Sequence, residues 1–306
     1  MHNIRIYGII SLVGLFLVPF FDGIVRKTKA LLNGRKGPSL FQTYYDLIKL
    51  FQKESFVSQF TSSFSKIAPI VILLISAIFF FLVPITFEGV PINIFVLIFI
   101  FSIGSFFLAL YGLDNATYFG WLGASREVFV VLLVEPLLLL SLAVLGYSTG
   151  AWNIGSLHDI IANKYFVSAF FIQIILFGVI LRYIMLAENK RYPFDNPTTH
   201  LELTMIHEAM LLETSWPTLW IIEFAGKINL IGFMGLFAFL VLPFDFGMTN
   251  IFLLWALRFV KVSIISIAIG FWETYVTKLR IFRYPTILLS LLTLQILFVI
   301  FYKIIH

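Results

Sequence analysis

The sequence predicts an all-α integral membrane protein of about eight transmembrane helices, with one further amphipathic helix on the cytoplasmic side. Three observations predict it. Mean hydropathy is +0.99 with 12% charged residues, far outside globular composition and fit for a chain whose main solvent is lipid. Apolar runs long enough to cross about 30 Å of hydrocarbon recur along the chain. No polar block is long enough to build a water-soluble domain, so residues 1–306 read as a single polytopic unit.

The first run, Ile4 to Gly23, lacks a small-residue cleavage site, and several similar runs follow it, so it reads as a retained span. Residues 25–66 then form a loop reading GRKGPSLFQTYYDLIKLFQKES in its middle. Ser39 and Gln42 behind Pro38 predict a capping box and a helix start. Leu40, Phe41, Tyr44, Ile48 and Phe51 recur at helical spacing with Gln42, Asp46, Lys49 and Lys53 on other faces, as in a helix lying at an interface. The same face could equally dock a partner. Further spans are expected at Ile67 to Phe87, Ile92 to Leu113, Val128 to Tyr147, Tyr165 to Leu186, Pro217 to Phe244, Ile251 to Phe271 and Pro285 to Tyr302.

The stretch Met205 to Phe244 admits one crossing preceded by a short helix, or two crossings. Charge decides between them. With one crossing, the basic clusters around Arg26 to Lys36, Lys49 to Lys66, Lys190 and Arg191, and Lys278 to Arg283 all share one side, which the positive-inside rule makes cytoplasmic. Both termini then lie outside, in a prokaryotic cell membrane. No internal repeat is visible, and the 36 phenylalanines read most simply as lipid-facing bulk.

With no cysteine in the chain, there is no disulfide, no thiolate nucleophile and no cysteine-held iron-sulfur cluster or zinc. Any redox centre must then sit on a partner.

Charge in the spans is the functional signal. Glu127 sits at the mouth of the fourth span and Glu135 two turns deeper on nearly the same face. Pro136 frees the carbonyl of Leu132. A charge near the bilayer centre costs about 2.5–3.5 kcal/mol even on the lenient insertion scale, so such a glutamate needs a partner, water or a proton. The seventh span carries Arg258 and Lys261 one turn apart, with Glu273 near its cytoplasmic end. The two cations are expected to pair with Glu135, or with Glu223 of the sixth span, which itself has ion-pair spacing to Lys227. A row of alternating acids and bases could pass protons, or could be static bridges that fix the bundle. Both readings predict the same residue types.

Residues 187–213, AENKRYPFDNPTTHLELTMIHEAMLLE, form an acidic junction loop holding Glu188, Asp195, Glu202, Glu208, Glu213 and two of the five histidines. Its two prolines stop the preceding helix and leave Asp195 or Asn196 to cap the next. His200 and His207 stand seven residues apart, too far along a helix for one ion, and HEAML is not the HExxH of zinc peptidases. No metal is expected. Carboxylates continuing to Glu208 and Glu213 among apolar neighbours read as a funnel for protons or coupling charge.

GRKGP, then YDLIKL, GASREVFVVLLVEPLLLL, AENKRYPFDNPTTHLELTMIHEAM and KVSIISIAIGFWETYVTKLR together resemble the membrane-anchor subunit of group 4 energy-converting [NiFe] hydrogenases and formate hydrogenlyase, homologous to complex I subunit 1. The resemblance runs over nearly the whole chain. It implies a subunit that is not catalytic alone. Such a subunit docks hydrogenase large and small subunits and an iron-sulfur protein on its cytoplasmic loops, and relays redox coupling toward antiporter-like membrane subunits. The [NiFe] centre and the clusters would sit on those partners; the chain itself would bind no cofactor and no nucleic acid, only lipid and protein.

By motif position the resemblance assigns relay or coupling to Glu127, Glu135, Glu188, Asp195, Glu202, Glu208, Lys261 and Glu273. Glu213 and Arg258 join this set from the residue reading. Docking is assigned to Arg35, Lys36, Arg126, Arg191, His200 and His207. The relatives that reduce quinone continue this loop with further carboxylates and an E-Y-S-G element, where this chain has His200 to Met210. That departure favours the hydrogenase branch over a quinone-chamber subunit. The other readings are a stand-alone secondary transporter and a pure anchor.

Overall fold

A computed structural model describes residues 2–54, 61–83, 92–165, 168–195, 206–212, 214, 216–245 and 250–305. The chain forms eleven α-helices among these residues: α1 His2–Leu32, α2 Gln42–Phe51, α3 Phe64–Leu82, α4 Ile94–Asp114, α5 Tyr118–Thr149, α6 Ile154–Lys164, α7 Ser168–Glu188, α8 His207–Leu211, α9 Thr218–Val241, α10 Ile251–Tyr275 and α11 Tyr284–Ile305. A 3-10 turn, Ile281–Arg283, leads into α11. Seven helices, α3, α4, α5, α7, α9, α10 and α11, are long and apolar enough to cross a membrane among the described residues. The chain is therefore an all-α multi-pass membrane protein. α1, with 31 residues, is roughly 46 Å long and lies where the first of the eight expected spans falls.

Helix ends follow from local chemistry. Asn93, Thr117 and Asn250 cap α4, α5 and α10 by accepting the backbone N–H of Phe95, Gly120 and Phe252, which satisfies donors that a helix start leaves free. The glycine of GRKGP ends α1: Gly34 takes φ 69°, and the N–H groups of Gly34 and Arg35 reach back to Leu31 and Ala30, a Schellman closure. The expected capping box on α2 is absent. Phe41 is the N-cap with no side-chain cap, and Gln42 instead gives its amide to Asp46 one turn on.

Gly23, one turn before Lys27, is where the chain leading into α2 crosses α1. A methyl group there would stand 2.0 Å from the carbonyl oxygen of Leu40. Gly23→Ala is therefore expected to destabilise the fold by about 1–3 kcal/mol, as overpacking does, read as a lower melting temperature of the detergent-solubilised protein.

α9 is the hub. It packs on α1, α2, α3, α6, α7 and α10 and buries 72% of its most apolar stretch, whereas α11 on the rim buries 17%. Close approach at the hub is permitted by Gly232, where a Cβ would meet the Phe79 ring at 2.6 Å. Phe79, Phe101 and Phe233 interlock there with ring centroids 4.7–5.4 Å apart. The phenylalanines thus divide: Phe79, Phe80, Phe177, Phe194 and Phe233 are core, and Phe16, Phe99, Phe106 and Phe252 face outward. The single crossing preceded by a short helix, expected between Met205 and Phe244, is what α8 and α9 form. The short helix α6 was not foreseen, because its apolar content is too small to register as a span.

Candidate functional site: a charged cavity at one end of the bundle

The ends of α1, α7 and α10 meet the starts of α5, α8 and α9 at the end of the bundle that carries α2. The turn after α7 builds the site. α7 closes as a second Schellman turn, with Lys190 at φ 51° and the N–H groups of Lys190 and Arg191 returning to Ala187 and Leu186. Lysine holds the left-handed place that glycine usually takes. The turn aims two cations inward: Lys190 Nζ lies 2.6 Å from Glu127 Oε1 of α5, and Arg191 enters the bundle.

Arg191 bridges two helices. Its Nη2 donates to Asp22 Oδ1 of α1 at 2.6 Å and its Nη1 to Glu273 Oε1 of α10 at 2.9 Å. Burial works against its charge, but Glu273 and Asp22 overcome that cost and raise its pKa further. Asp22 also receives Arg26 Nε at 3.1 Å and the Thr43 hydroxyl at 3.2 Å, and Arg26 reaches on to Asp46 of α2 at 2.7 Å. Lys29 Nζ stands 3.5 Å from the other Glu273 oxygen. One chain of ion pairs therefore ties α1, α2, α10 and the α7 turn. Asp195 performs the expected capping across a gap in sequence: its Oδ2 accepts from Ile206 N at 2.9 Å and His207 N at 3.4 Å, while Oδ1 takes Lys278 Nζ at 2.6 Å.

Beside this chain lies a cavity of about 160 Å³, bordered by Asp22, Glu188, Glu208, Glu223, Lys227 and Glu273 among others. That is room for several waters, since one needs roughly 10–15 Å³. Glu223 is matched by Lys227 at 2.6 Å. Glu188 and Glu208 have no cation at ion-pair distance among the described residues. Glu188 is 4% exposed, and neither of its oxygens takes a hydrogen bond among the described residues. A carboxylate so placed needs cavity water or a proton.

Burial pushes the Glu208 carboxyl up to about 7, with Glu223 and Asp195 adding to the shift and Lys227 opposing it. Burial pushes His207 down from its ordinary value, with Lys190 in the same sense and Glu223, Glu127 and Asp195 against it. The site therefore carries fixed ion pairs on one side and exchangeable groups on the other.

The raised Glu208 value has a sign. Native protein holds this proton more tightly than the unfolded chain, so stability falls as pH rises from the unfolded carboxyl value, about 4.3, to the folded value near 7, and is level above it. Glu208→Gln removes that loss. The variant's melting temperature is expected to match wild type near pH 4 and exceed it at pH 8; a constant difference across that range would refute the assignment.

The sequence reading and the structure agree in part. Glu127, Glu188, Asp195, Glu208, Glu273, Arg191 and His207 are brought together. Glu135 is half-buried on α5, two turns on from the fully buried Glu127. Arg35 and Lys36 are exposed and Arg126 is half-buried. His200, Glu202 and Glu213 lie outside the described residues.

Arg258 and Lys261 do not pair with Glu135 or Glu223. They stand nearer the opposite end, where Lys261 Nζ donates to Asp245 Oδ1 at 2.8 Å and to the Leu242 carbonyl at 2.8 Å, and Arg258 Nη2 lies 3.4 Å from Asp245 Oδ2. His158 of α6 completes this group, with Nε2 3.3 Å from Asp245 and Nδ1 2.9 Å from the Phe239 carbonyl. Burial works against the Asp245 charge, but hydrogen bonds from His158 and Lys261 and the charges of Lys261 and Arg258 hold its carboxyl well below the usual range. The expected single row is two clusters, separated along α10 by Lys261 to Glu273, roughly 18 Å at helical rise.

Asp22, His158 and Asp245 were missed. Asp22 carried a signal, the i, i+4 spacing to Arg26; the partners of His158 and Asp245 are set by tertiary contact alone. Among the described residues no three His, Cys, Asp or Glu side chains group as a metal site would require.

The fold and site thus define a multi-pass helical bundle with a charged, ion-paired cavity at one end. The chain belongs to the NADH dehydrogenase family, whose profile matches residues 4–303. It is 27% identical to formate hydrogenlyase subunit 4 of Escherichia coli (strain K12) over 291 residues, 92% of this chain and 93% of that one. It is 28% identical to hydrogenase-4 component C of the same organism over 238 residues, 76% of this chain and 74% of that one. The fold matches a chain of the membrane-bound sulfane sulfur reductase, an archaeal respiratory membrane complex, with a TM-score of 0.80 at 15% identity, covering 96% of this chain and 99% of the other.

Proposed function

We propose that this chain is the membrane subunit of a hydrogenase-type respiratory complex that docks a [NiFe] and iron-sulfur module at its α2 end and passes redox coupling, as protons or charge, into the membrane arm. The observation that carries the reading is the pairing of a rigid ion-pair frame with two carboxyls, Glu188 and Glu208, that have no cation at ion-pair distance among the described residues and border one water-capable cavity. The frame holds α1, α2, α10 and the α7 turn in register for a partner. The carboxyls can take up or release a proton when charge changes on that partner, because sites of interacting pKa respond to each other. The basic loops at the α2 end support a cytoplasmic position for it, and the similarity to formate hydrogenlyase subunit 4 and hydrogenase-4 component C supports the hydrogenase branch.

The test is mild-detergent purification of the tagged chain, with metal analysis and a hydrogen-evolution assay on what accompanies it. Nickel, iron and hydrogen evolution are the expected result. Iron with quinone reductase activity and no nickel would move the chain to a complex I type dehydrogenase, and a solitary protein would reject the docking role.

A further inference from the structure

Among the described residues, Arg182 is a cation inside a membrane span without an ionic partner. It stands one and a half turns, roughly 9 Å, before α7 ends at Glu188. Arg26, Lys227, Arg258 and Lys261 each meet a carboxylate; among the described residues Arg182 meets none. Its Nε is buried and unbonded. What holds it is aromatic: the guanidinium lies 4.0 Å over the Trp272 ring of α10 and 5.0 Å from the Tyr183 ring. A guanidinium held by its face on an aromatic ring leaves its N–H edge free to bind an oxyanion.

The neighbourhood supplies the rest of a binding site. A ladder of rings, Trp272, Tyr183, Phe194 and Tyr284, with centroids 5.0–6.5 Å apart, runs from beneath Arg182 to the foot of α11. The link between α10 and α11 is pinned under α7 by the Leu279 N–H on the Pro193 carbonyl at 2.8 Å and by Lys278 on Asp195 at 2.6 Å. Arg280 and Arg283 are exposed on that link, and Phe282 between them is 86% exposed. From Tyr275 back along α10, Phe271, Ile267, Ile264 and Val260 form an exposed apolar stripe at helical spacing.

We infer that an anionic phospholipid binds in the leaflet at the α2 end, its charged headgroup drawn by the exposed Arg280 and Arg283 and by Arg182 at the inner end of the ring ladder, with an acyl chain along the α10 stripe and Phe282 in the interface. Depth favours lipid: an arginine one and a half turns inside a span can extend its long side chain toward the headgroup level, where the phosphate lies. Basic pockets between transmembrane helices at the cytoplasmic face take such headgroups.

The experiment is native mass spectrometry of the detergent-solubilised full chain titrated with phosphatidylglycerol or phosphatidylcholine, repeated on the purified complex. Wild type is expected to retain phosphatidylglycerol in preference to phosphatidylcholine. Each arginine removed, by Arg182→Gln or by the exposed Arg280→Gln and Arg283→Gln, is expected to cut that preference about fivefold. The exposed pair does not perturb folding, so it tests the site even where Arg182→Gln fails to fold. Equal retention of the two lipids, or an unchanged preference in the Arg280→Gln, Arg283→Gln variant, would overturn the inference. Displacement by millimolar inorganic phosphate would reassign the site to the free anion. A preference seen in the isolated chain but lost in the complex would overturn the inference for the assembled protein.

Discussion

Arg191→Ala is expected to destabilise the folded protein by about 3–5 kcal/mol, the cost of leaving buried carboxylates without their cation. Two lose a partner at once. Asp22 and Glu273 both take the Arg191 fork, and both are fully enclosed. Arg26 and Lys29 remain, but Lys29 stands 3.5 Å from Glu273 and Arg26 is held between Asp22 and Asp46, so neither replaces a guanidinium that bridges both carboxylates. The measurement is the melting temperature of the solubilised chain together with its recovery from membranes. The control neutralises the whole set: Arg191→Met with Asp22→Asn and Glu273→Gln is expected to recover most of the loss, since removing all partners of a buried network costs less than removing one. If Arg191→Ala melts within a degree of wild type, the frame described for the α2 end does not hold the bundle together.

How far this frame could be read in advance depends on what each residue needs. Seven spans were legible because apolar length is a local property, and α3, α4, α5, α7, α9, α10 and α11 fall where the runs lie. The arrest of α7 was legible as well, since the YPFDNP stretch cannot continue a helix. Its physical form, a left-handed Lys190 that throws Lys190 and Arg191 inward, is a consequence of packing. Partner choice among charges was the part that sequence could not carry. Lys261 had several carboxylates to choose from, and Asp245 won because the segment leaving α9 brings it to the level of Lys261, with the Leu242 carbonyl as a second acceptor. Asp22 shows the reverse case. Its spacing to Arg26 was visible, yet its second cation, Arg191, comes from 169 positions away and no local pattern points to it.

Glu188→Gln separates frame from relay. Its side chain is buried and takes no hydrogen bond among the described residues, so it contributes no ion pair whose loss would loosen the fold. An amide of the same shape removes a buried ionisable group without removing a partner. The variant is therefore expected to melt at or above the wild-type temperature and to assemble normally. Ion translocation by the complex in sealed vesicles is expected to fall by about two orders of magnitude, the usual cost of deleting a positioned proton-transfer group. Glu127→Gln is the contrasting case. It weakens the hold on Lys190, 2.6 Å away in the turn that aims Arg191, so stability and translocation are expected to fall together. If Glu188 and Glu208 serve one path across the cavity, the double variant Glu188→Gln, Glu208→Gln translocates no more slowly than the worse single one, because steps in series do not add their losses. Full translocation in Glu188→Gln would make the cavity a structural void, and the ion-pair frame would then be the whole contribution of this end of the bundle.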